Sequence, residues 1–236
     1  MRTPTRLCLF ATTALFLGAC QSQPRWYKGN LHTHTLWSDG NQFPEMVVDW
    51  YASRDYDFLA LTEHNVVADH DKWVTNDLVV RKGGRRALAN YRTRFGTDWV
   101  EQRETDGKLE VRLKKLDEIR SRFDDRDDFL LIAAEEITAA FQGKPIHINA
   151  SNIAERIPPQ KGTDVRDVMR KTLQAVAEHE KANDLNVLVH LNHPNFGWGV
   201  SAEDLAAVTE EHFFEVYNGH PSVHHKGDAT RPGTER

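Results

Sequence analysis

Two histidines separated by one residue, His32 and His34, are the first side chains in this sequence that could do chemistry. On an extended strand, residues i and i+2 point to the same side, so both imidazoles can reach one ion. Asp39 adds a carboxylate a few residues later, and carboxylate oxygen often accompanies imidazole nitrogen around divalent metals. The spacing predicts a metal site, although a lone His-x-His pair is common by chance.

Later segments of the chain end short apolar runs with side chains of the same chemical type. In chain order they supply His64, the adjacent pair Glu135 and Glu136, then His147, and finally His190 and His193, of which His190 faces the other way by strand parity. Ligands collect at the carboxyl ends of strands in parallel α/β folds, so we expect these side chains to share one site with the first histidine pair. Histidine and carboxylate ligands without thiolate suit Zn²⁺, Mn²⁺ or Fe²⁺, and the sequence leaves these three open.

Strands that alternate with helical patterns must position these residues. The sequence predicts strands over 29–35, 57–62, 129–132, 145–150, 187–191 and 213–217, and helices over 44–54, 116–123 and 164–182. The alternation indicates an α/β domain with a parallel sheet, open or closed. Residues 66–128 are more polar, include a hairpin signal at Asp106-Gly107, and are predicted to form an insertion over one face.

The N-terminal segment is predicted to be a signal rather than part of the fold. Arg2 and Arg6 precede an apolar run over 7–17 that is too short to span a bilayer. The run ends in Leu-Gly-Ala-Cys at Cys20, which resembles the lipobox of bacterial lipoproteins, with an ordinary secretory signal as the alternative. We therefore expect a signal peptide over 1–19, lipid on the Cys20 thiol, a tether over 20–28 and a folded domain over 29–236.

Charge and cysteine content narrow the range of partners. By resemblance to Gram-negative lipoproteins, Gln21 after the cysteine suggests export to the periplasmic face of the outer membrane. The two cysteines, Cys8 and Cys20, both lie in the N-terminal segment, so no disulfide is expected in the domain. A formal charge of −5 gives no indication of a nucleic-acid partner. The expected partners are a small-molecule substrate and a membrane, through the lipid anchor.

The ordered set of motifs resembles the PHP (polymerase and histidinol phosphatase) superfamily of metal-dependent hydrolases. The motifs are Leu-His-x-His-Thr with Ser-Asp-Gly, Leu-Thr-Glu-His, Glu-Glu-Ile-Thr, a lone His, His-Pro and Phe-Glu-Val-Tyr-Asn. The run over 30–65 is most similar to the exported branch that includes carbaryl-hydrolase-like enzymes. The resemblance implies a distorted (β/α)7 barrel that binds two or three divalent metal ions at its carboxyl-end face.

The resemblance also implies roles for particular residues. The implied ligand sets are His32, His34 and Glu136 for one metal, Glu136, His147 and His193 for a second, and Asp39 and His64 for a third. Glu63 stands where the family usually has Asp, and we expect it to orient His64. Glu215 and Asn218, in the last motif, are expected to support the ligands without binding metal. No side chain is assigned as catalytic.

The end of the site departs from the family pattern, because no Asp-x-His motif follows Asn218. We therefore expect the chain to be truncated before the last strand of the barrel, with a natural variant that has a reduced metal site as the alternative. An open parallel barrel would expose an unpaired edge, which favours the first interpretation. His220, His224 and His225 are expected in a loop after the last predicted strand, where one could reach the mouth of the site.

The resemblance implies hydrolysis, most of all of a phosphoester, by metal-bound hydroxide. A carbamate, ester or amide hydrolase of the same fold is the first alternative, favoured by the branch resemblance and the expected export. A non-enzymatic lipoprotein that binds a metal or a ligand is the second, and the cost of burying unpaired histidines and carboxylates argues against it. Histidinol phosphatase and polymerase proofreading activities are disfavoured because their substrates are cytoplasmic.

Overall fold

The structure is a computed structural model that describes residues 25–123 and 129–234. The predicted signal peptide, Cys20 and the first part of the tether lie outside these residues. In chain order the elements are β1 (Gly29–Asn30), α1 (Pro44–Ala52), β2 (Phe58–His64), β3 (Lys72–Thr75), α2 (Asn76–Gly83), α3 (Ala87–Phe95), β4 (Gln102–Thr105), β5 (Lys108–Leu113), α4 (Leu116–Phe123), β6 (Leu130–Phe141), β7 (Lys144–Ser151), α5 (Val165–Asn183), β8 (Leu188–Leu191) and α6 (Ala202–Ala207). None of the described helices is both long and apolar enough to span a bilayer.

The main sheet of this mixed α/β fold has the strand order β1-β2-β6-β7-β8. β1, β2 and β6 are parallel, as expected, but β7 runs antiparallel to both of its neighbours. The reason lies in Gln142 and Gly143, which link β6 to β7 with φ values of 48° and 78°. Left-handed conformations at both positions are typical of a tight hairpin turn, and parallel strands need a much longer connection. The expectation of an all-parallel sheet is therefore wrong at β7.

A second, three-stranded antiparallel sheet lies between β2 and β6 in sequence, in the order β3-β5-β4. The hairpin predicted at Asp106-Gly107 joins β4 to β5, with φ values of 50° and 70° at its two central residues. This segment shares one apolar core with the main sheet, formed in part by Leu59, Val79, Tyr91 and Ile119. Burying each such side chain contributes about 1.5–3 kcal/mol, so the core fixes the segment against β2.

Helix α5 provides the cover on the other half of the main sheet. Asp164 caps its N-terminus by accepting a hydrogen bond from the backbone N–H of Asp167 at 2.8 Å. One stripe of the helix, which includes Val168, Met169 and Val176, is apolar and buried. The helix ends at Asn183, and Asp184 follows it with a left-handed φ of 52°. The sheet that carries the site is thus braced by an amphipathic helix, as the periodicity predicted.

The sequence predicted longer strands at both edges of this sheet. β1 stops at Asn30 because the backbone N–H of Thr33 bonds the side chain of Thr62 rather than a strand carbonyl. At the other edge, residues 213–217 form a single bridge, Phe214 with Leu191 of β8, so the predicted strand is wrong in extent. The two edges still meet, because Glu215 hydrogen-bonds His32. The expected seven-unit barrel stays a prediction.

Candidate metal centre

A cavity of about 210 Å³ opens where the two edges of the main sheet meet. The structure brings into its wall all seven side chains that the sequence singled out as ligands: His32, His34, Asp39, His64, Glu136, His147 and His193. Phe196, Asn218, His220 and Val223 complete the wall. Residues separated by up to 161 positions in the chain therefore converge on a single site, and the folding of the sheet accounts for their convergence.

Glu136 is the centre of this cluster and is fully buried. It lies within β6, opposite His64 of β2 and Asn149 of β7. Its Oε1 lies near His147 Nδ1 at 3.0 Å, His193 Nε2 at 3.4 Å and His32 Nε2 at 3.5 Å. Its Oε2 lies near His64 Nδ1 at 2.8 Å and His34 Nε2 at 3.3 Å. Five imidazoles thus surround one buried carboxylate.

The reversed direction of β7 explains how His147 reaches this site. The sequence predicts Glu136 beyond a strand over 129–132, but Glu136 lies in the middle of β6, and His147 lies near the start of β7. In the β6–β7 hairpin, His147 pairs with Thr138, two residues beyond Glu136 on the same face. The antiparallel pairing therefore places the two side chains 3.0 Å apart.

The donor atoms fit divalent cations. His32 Nε2 and His34 Nε2 face each other at 3.1 Å, and Glu215 engages the other nitrogen of His32. Buried Oε2 of Glu136 accepts no hydrogen bond of good geometry within the described chain. Four sets of three donor atoms lie within 4.8 Å of one another: His32, His34 and Glu136; His32, His193 and Glu215; His34, Asp39 and His64; His64, Glu136 and His147. Imidazole and carboxylate around such points are ligands that Zn²⁺, Mn²⁺ and Fe²⁺ accept.

These sets differ in part from those that the resemblance implies. His64 groups with His147 and Glu136 as well as with Asp39, and His193 groups with His32 and Glu215. Glu215 was expected only to support ligands. It does hold His32 through Nδ1 at 3.0 Å and the backbone N–H of His193 at 3.0 Å, yet its position also suits a ligand.

The side chain of Asn218 contacts Glu215, and its supporting role stays a prediction. Its side-chain amide donates to Glu215 Oε2 at 3.0 Å, so it fixes the carboxylate that in turn fixes His32. Burial opposes the charge of Glu215, but its hydrogen bonds to His32 and Asn218 lower its pKa below the usual range. The contact of Glu215 with His32 Nδ1 therefore fixes the orientation of the ring, as is common for metal-binding histidines.

The contacts of Glu63 differ from the expected role of orienting His64. Glu63 accepts hydrogen bonds from the Thr35 backbone N–H at 2.9 Å and from the Ser38 hydroxyl. His64 Nδ1 instead lies 2.6 Å from Thr138 Oγ1. Consecutive strand residues point to opposite faces, so Glu63 cannot reach the ring that follows it. It holds the turn that carries Asp39.

Charge is distributed unevenly among the cluster. Burial disfavours a charged His32, but hydrogen bonds to Glu136 and Glu215 outweigh it and raise its pKa to about 9. Likewise, Asp39 and Glu136 outweigh burial at His64 and raise its pKa to about 10. Burial lowers the pKa of His34 to about 4. The pKa of Glu136 lies far below its usual range despite burial, because histidines hydrogen-bond it. The site is built around negative charge that needs cations beside it.

Sequence reasoning missed two asparagines that position Glu136. Asn192 donates from Nδ2 to Glu136 Oε1 and to Asn149 Oδ1, both at 2.8 Å. Asn149 in turn donates to the carbonyl of Leu31 at 2.9 Å, which ties β7 to the segment after β1. Both asparagines are buried. The available signal was their presence in otherwise apolar strand segments, where a buried amide must be hydrogen-bonded.

Replacing Glu63 with alanine is expected to lower the free energy of unfolding by about 2–4 kcal/mol, because the buried N–H of Thr35 and hydroxyl of Ser38 lose their acceptor. Urea denaturation would measure the change. Glu63→Gln retains one acceptor oxygen and should lose clearly less. Equal losses in the two variants would show that these hydrogen bonds do not hold the turn.

The chain is similar to proteins of known structure. No protein-family model and no curated protein matches the chain. A two-domain protein from Bacteroides vulgatus, described as containing a predicted PHP-like metal-dependent phosphoesterase, is 20% identical with a TM-score of 0.45. The match covers 84% of this chain and 46% of that protein, so the chain spans just under half its length.

A second solved structure is a protein from Bifidobacterium adolescentis described as a candidate metal-dependent phosphoesterase. It is 13% identical with a TM-score of 0.42, and the match covers 83% of this chain and 79% of that one. At these identities and TM-scores, neither likeness assigns an activity to this chain.

Proposed function

We propose that this domain is a metal-dependent phosphoesterase that acts on a small phosphomonoester or phosphodiester. The observation that carries the proposal is the convergence of five imidazoles on the buried carboxylate of Glu136 in the floor of an open cavity. Divalent ions bound there would activate water near neutral pH and neutralise charge on the oxygens of the transition state. The geometry suits two or three ions, of Zn²⁺, Mn²⁺ or Fe²⁺.

The proposed ligands are the residues that the sequence singled out, with one addition. They are His32, His34, Asp39, His64, Glu136, His147 and His193, together with Glu215 from the His32 and His193 set. Glu136 contributes to two of the four sets, so it is the proposed bridge between ions. Asn192, Asn218 and Thr138 hold ligand side chains in place through the hydrogen bonds described above.

The chain's own contribution beyond the ligands is to shape the cavity. Phe196 and Val223 form its apolar side, while the carboxylate and imidazole groups form its floor. A volume of about 210 Å³ accommodates a phosphoryl group with a small substituent. The apolar side keeps water away from that substituent and leaves the polar floor for the reacting group.

The same apolar side favours a second candidate, hydrolysis of an uncharged carbamate, ester or amide. Phe196 packs against His193 with ring centroids 5.1 Å apart. An apolar acyl or aryl group that packs on Phe196 would therefore lie beside a proposed metal ligand. Substrate charge distinguishes the two candidates, because only the phosphoester brings an anion to the metals.

The decisive experiment compares both substrate classes on one preparation. The purified chain, loaded with Mn²⁺ or Zn²⁺, is expected to hydrolyse bis(p-nitrophenyl) phosphate or p-nitrophenyl phosphate faster than p-nitrophenyl acetate or 1-naphthyl N-methylcarbamate. His193→Ala should reduce all metal-dependent turnover. Faster hydrolysis of the carbamate or acetate would support the second candidate, and metal binding without turnover of any substrate would contradict both.

We also propose that the domain is exported and lipid-anchored through Cys20, on the basis of the lipobox-like run alone. Cys20→Ala should move the protein from the membrane to the soluble fraction, because the anchoring acyl chains need that thiol. Cys8→Ala is the matched control, since Cys8 lies in the apolar run and should not be acylated. Fractionation and immunoblotting measure the distribution. If both variants distribute alike, the anchor is not at Cys20.

A further inference from the structure

His220 lines the cavity but stands apart from the cluster of ligands. Its ring meets Phe196 edge-on with centroids 5.8 Å apart, and Phe196 packs against His193 at 5.1 Å. Phe196 thus contacts both His220 and the candidate ligand His193. Among the described residues, His220 belongs to none of the sets of donor atoms that could share an ion. It faces the substrate space without being placed to bind metal.

The proton on the His220 ring is fixed by a backbone contact. The N–H of Ser222 donates to His220 Nδ1 at 3.2 Å. An N–H cannot accept a hydrogen bond, so Nδ1 must be unprotonated for this contact to form. The neutral ring then carries its proton on Nε2. The fold therefore selects the ring tautomer in which Nε2–H is a hydrogen-bond donor.

The position of His220 is coupled to the metal cluster through its backbone. The His220 N–H donates to Asn218 Oδ1 at 2.8 Å, and Asn218 donates to Glu215 at 3.0 Å. Glu215 contacts His32 and the backbone N–H of His193. Three hydrogen bonds in series therefore set the donor relative to the floor of the cavity. Donors positioned before the substrate arrives stabilise transition-state charge without reorganising.

The remaining lining residues leave this role to His220. The described residues that line the cavity include no lysine and no arginine. Asn218 has a side-chain amide there, but its Nδ2 donates to Glu215 at 3.0 Å and lies 3.5 Å from His32 Nδ1. The other imidazoles surround Glu136. An anionic oxygen directed away from the floor would find its side-chain donor at His220 Nε2.

We propose that His220 donates a hydrogen bond from Nε2 to a non-bridging oxygen of the bound phosphoryl group. The proposal rests on the proposed phosphoesterase function. It makes His220 an oxyanion-binding residue and excludes two other roles. A metal ligand would need Nε2 as an acceptor, and a general acid would need a proton on Nδ1, which would break the bond from Ser222.

His220→Ala is expected to lower kcat/KM for bis(p-nitrophenyl) phosphate about 10- to 100-fold, the effect of one hydrogen bond to a charged group. His220→Gln offers an amide donor in a similar place and should recover most of the loss. The loss should be the same for nitrophenyl and phenyl leaving groups, and the pH profile should keep its shape. Weaker binding of inorganic phosphate by His220→Ala, measured by calorimetry, should accompany it.

Two measurements do not depend on turnover. Metal content should be equal in wild type, His220→Ala and His220→Gln. Nitrogen NMR of the metal-free chain should show one ring with protonated Nε2 that is absent from the spectrum of the glutamine variant. Loss of metal from His220→Ala would make the residue a ligand. A loss of rate that grows with leaving-group pKa would make it an acid, and equal rates in all three proteins would remove it from the site.

The same measurements separate a failure of the phosphoesterase function from a failure of the donor role of His220. If wild type binds metal but does not hydrolyse phosphoesters, the phosphoesterase assignment fails and the His220 proposal fails with it. If wild type is active and glutamine rescues no better than alanine, only the donor role fails. The ring would then act through packing on Phe196, and both variants would lose it.

Discussion

Glu136→Gln is expected to weaken retention of divalent metal by at least about 100-fold, beyond the 10- to 100-fold typical of losing a partner behind a ligand. The carboxylate is fully buried and lies within 3.5 Å of nitrogens from five histidines. Glutamine has nearly the same shape, but it removes the negative charge. It also turns an NH₂ group toward the imidazole nitrogens whose lone pairs must bind the metal. Elemental analysis after dialysis would measure the loss, and phosphoester hydrolysis should fall with it.

The neighbouring residue supplies the matched control. Glu135 is also fully buried, but it points to the opposite face of β6 and accepts a hydrogen bond from the backbone N–H of Ile157. Burial raises its pKa to about 7, so Glu135→Gln removes only about half of a charge at neutral pH. Its metal content should equal that of wild type. A similar loss of metal in both variants would show that the effect comes from a damaged strand and not from Glu136.

Local patterns predicted the elements whose formation depends on local chemistry. The helix predicted over 116–123 is α4 with the same bounds, and the Asp106-Gly107 hairpin is present. The ligand-type residues converge because their side chains follow or interrupt apolar strands, and that pattern is visible in one sequence. The identity of the metal-binding residues stays a prediction, since geometry alone does not demonstrate that metal binds.

Features that depend on how the strands pair go beyond what the local pattern predicts. The Gln142-Gly143 turn indicates a hairpin, whereas the alternation of strands with helices predicts a parallel sheet, and the turn decides the direction of β7. The role of Glu63 was assigned from its position beside His64, whereas its partners Thr35 and Ser38 lie 25–28 residues away. Alternation along a strand says which face a residue occupies, and only the fold says what faces it.

The same limit applies to the groups that support the site. Asn192 and Asn149 meet Glu136 only because β8, β7 and β6 align in a particular register. The Gln142-Gly143 turn fixes the register of β6 with β7, but no spacing within the chain specifies the register of β7 with β8, which depends on the core beneath the strands. The ring tautomer of His220, by contrast, depends on a contact within the local sequence, because its partner Ser222 is two residues away. Such short-range contacts can be proposed from sequence once a turn is known.

Metal removal is expected to lower the free energy of unfolding by about 4 kcal/mol when the free ion had been present at 1,000 times its Kd. For a domain of this size that corresponds to a fall in Tm of about 8–16 °C. The physical reason is the arrangement of the floor: without ions, His32 and His34 face each other at 3.1 Å, and the buried carboxylate of Glu136 must be balanced by protonated histidines. Differential scanning calorimetry with and without a chelator measures the shift.

Two histidine variants separate binding at this site from binding elsewhere. His193→Ala removes a cavity residue and should lose most of the metal-dependent increase in Tm, while its chelated form should differ much less from chelated wild type. His212→Ala changes an exposed histidine outside the cavity and should keep the full increase. If chelation leaves the Tm of wild type unchanged, or if His193→Ala responds to metal as wild type does, the stabilising ions do not occupy this cavity. The buried carboxylate of Glu136 would then have to be balanced by protonated histidines alone, and the proposed metal chemistry would lose its structural basis.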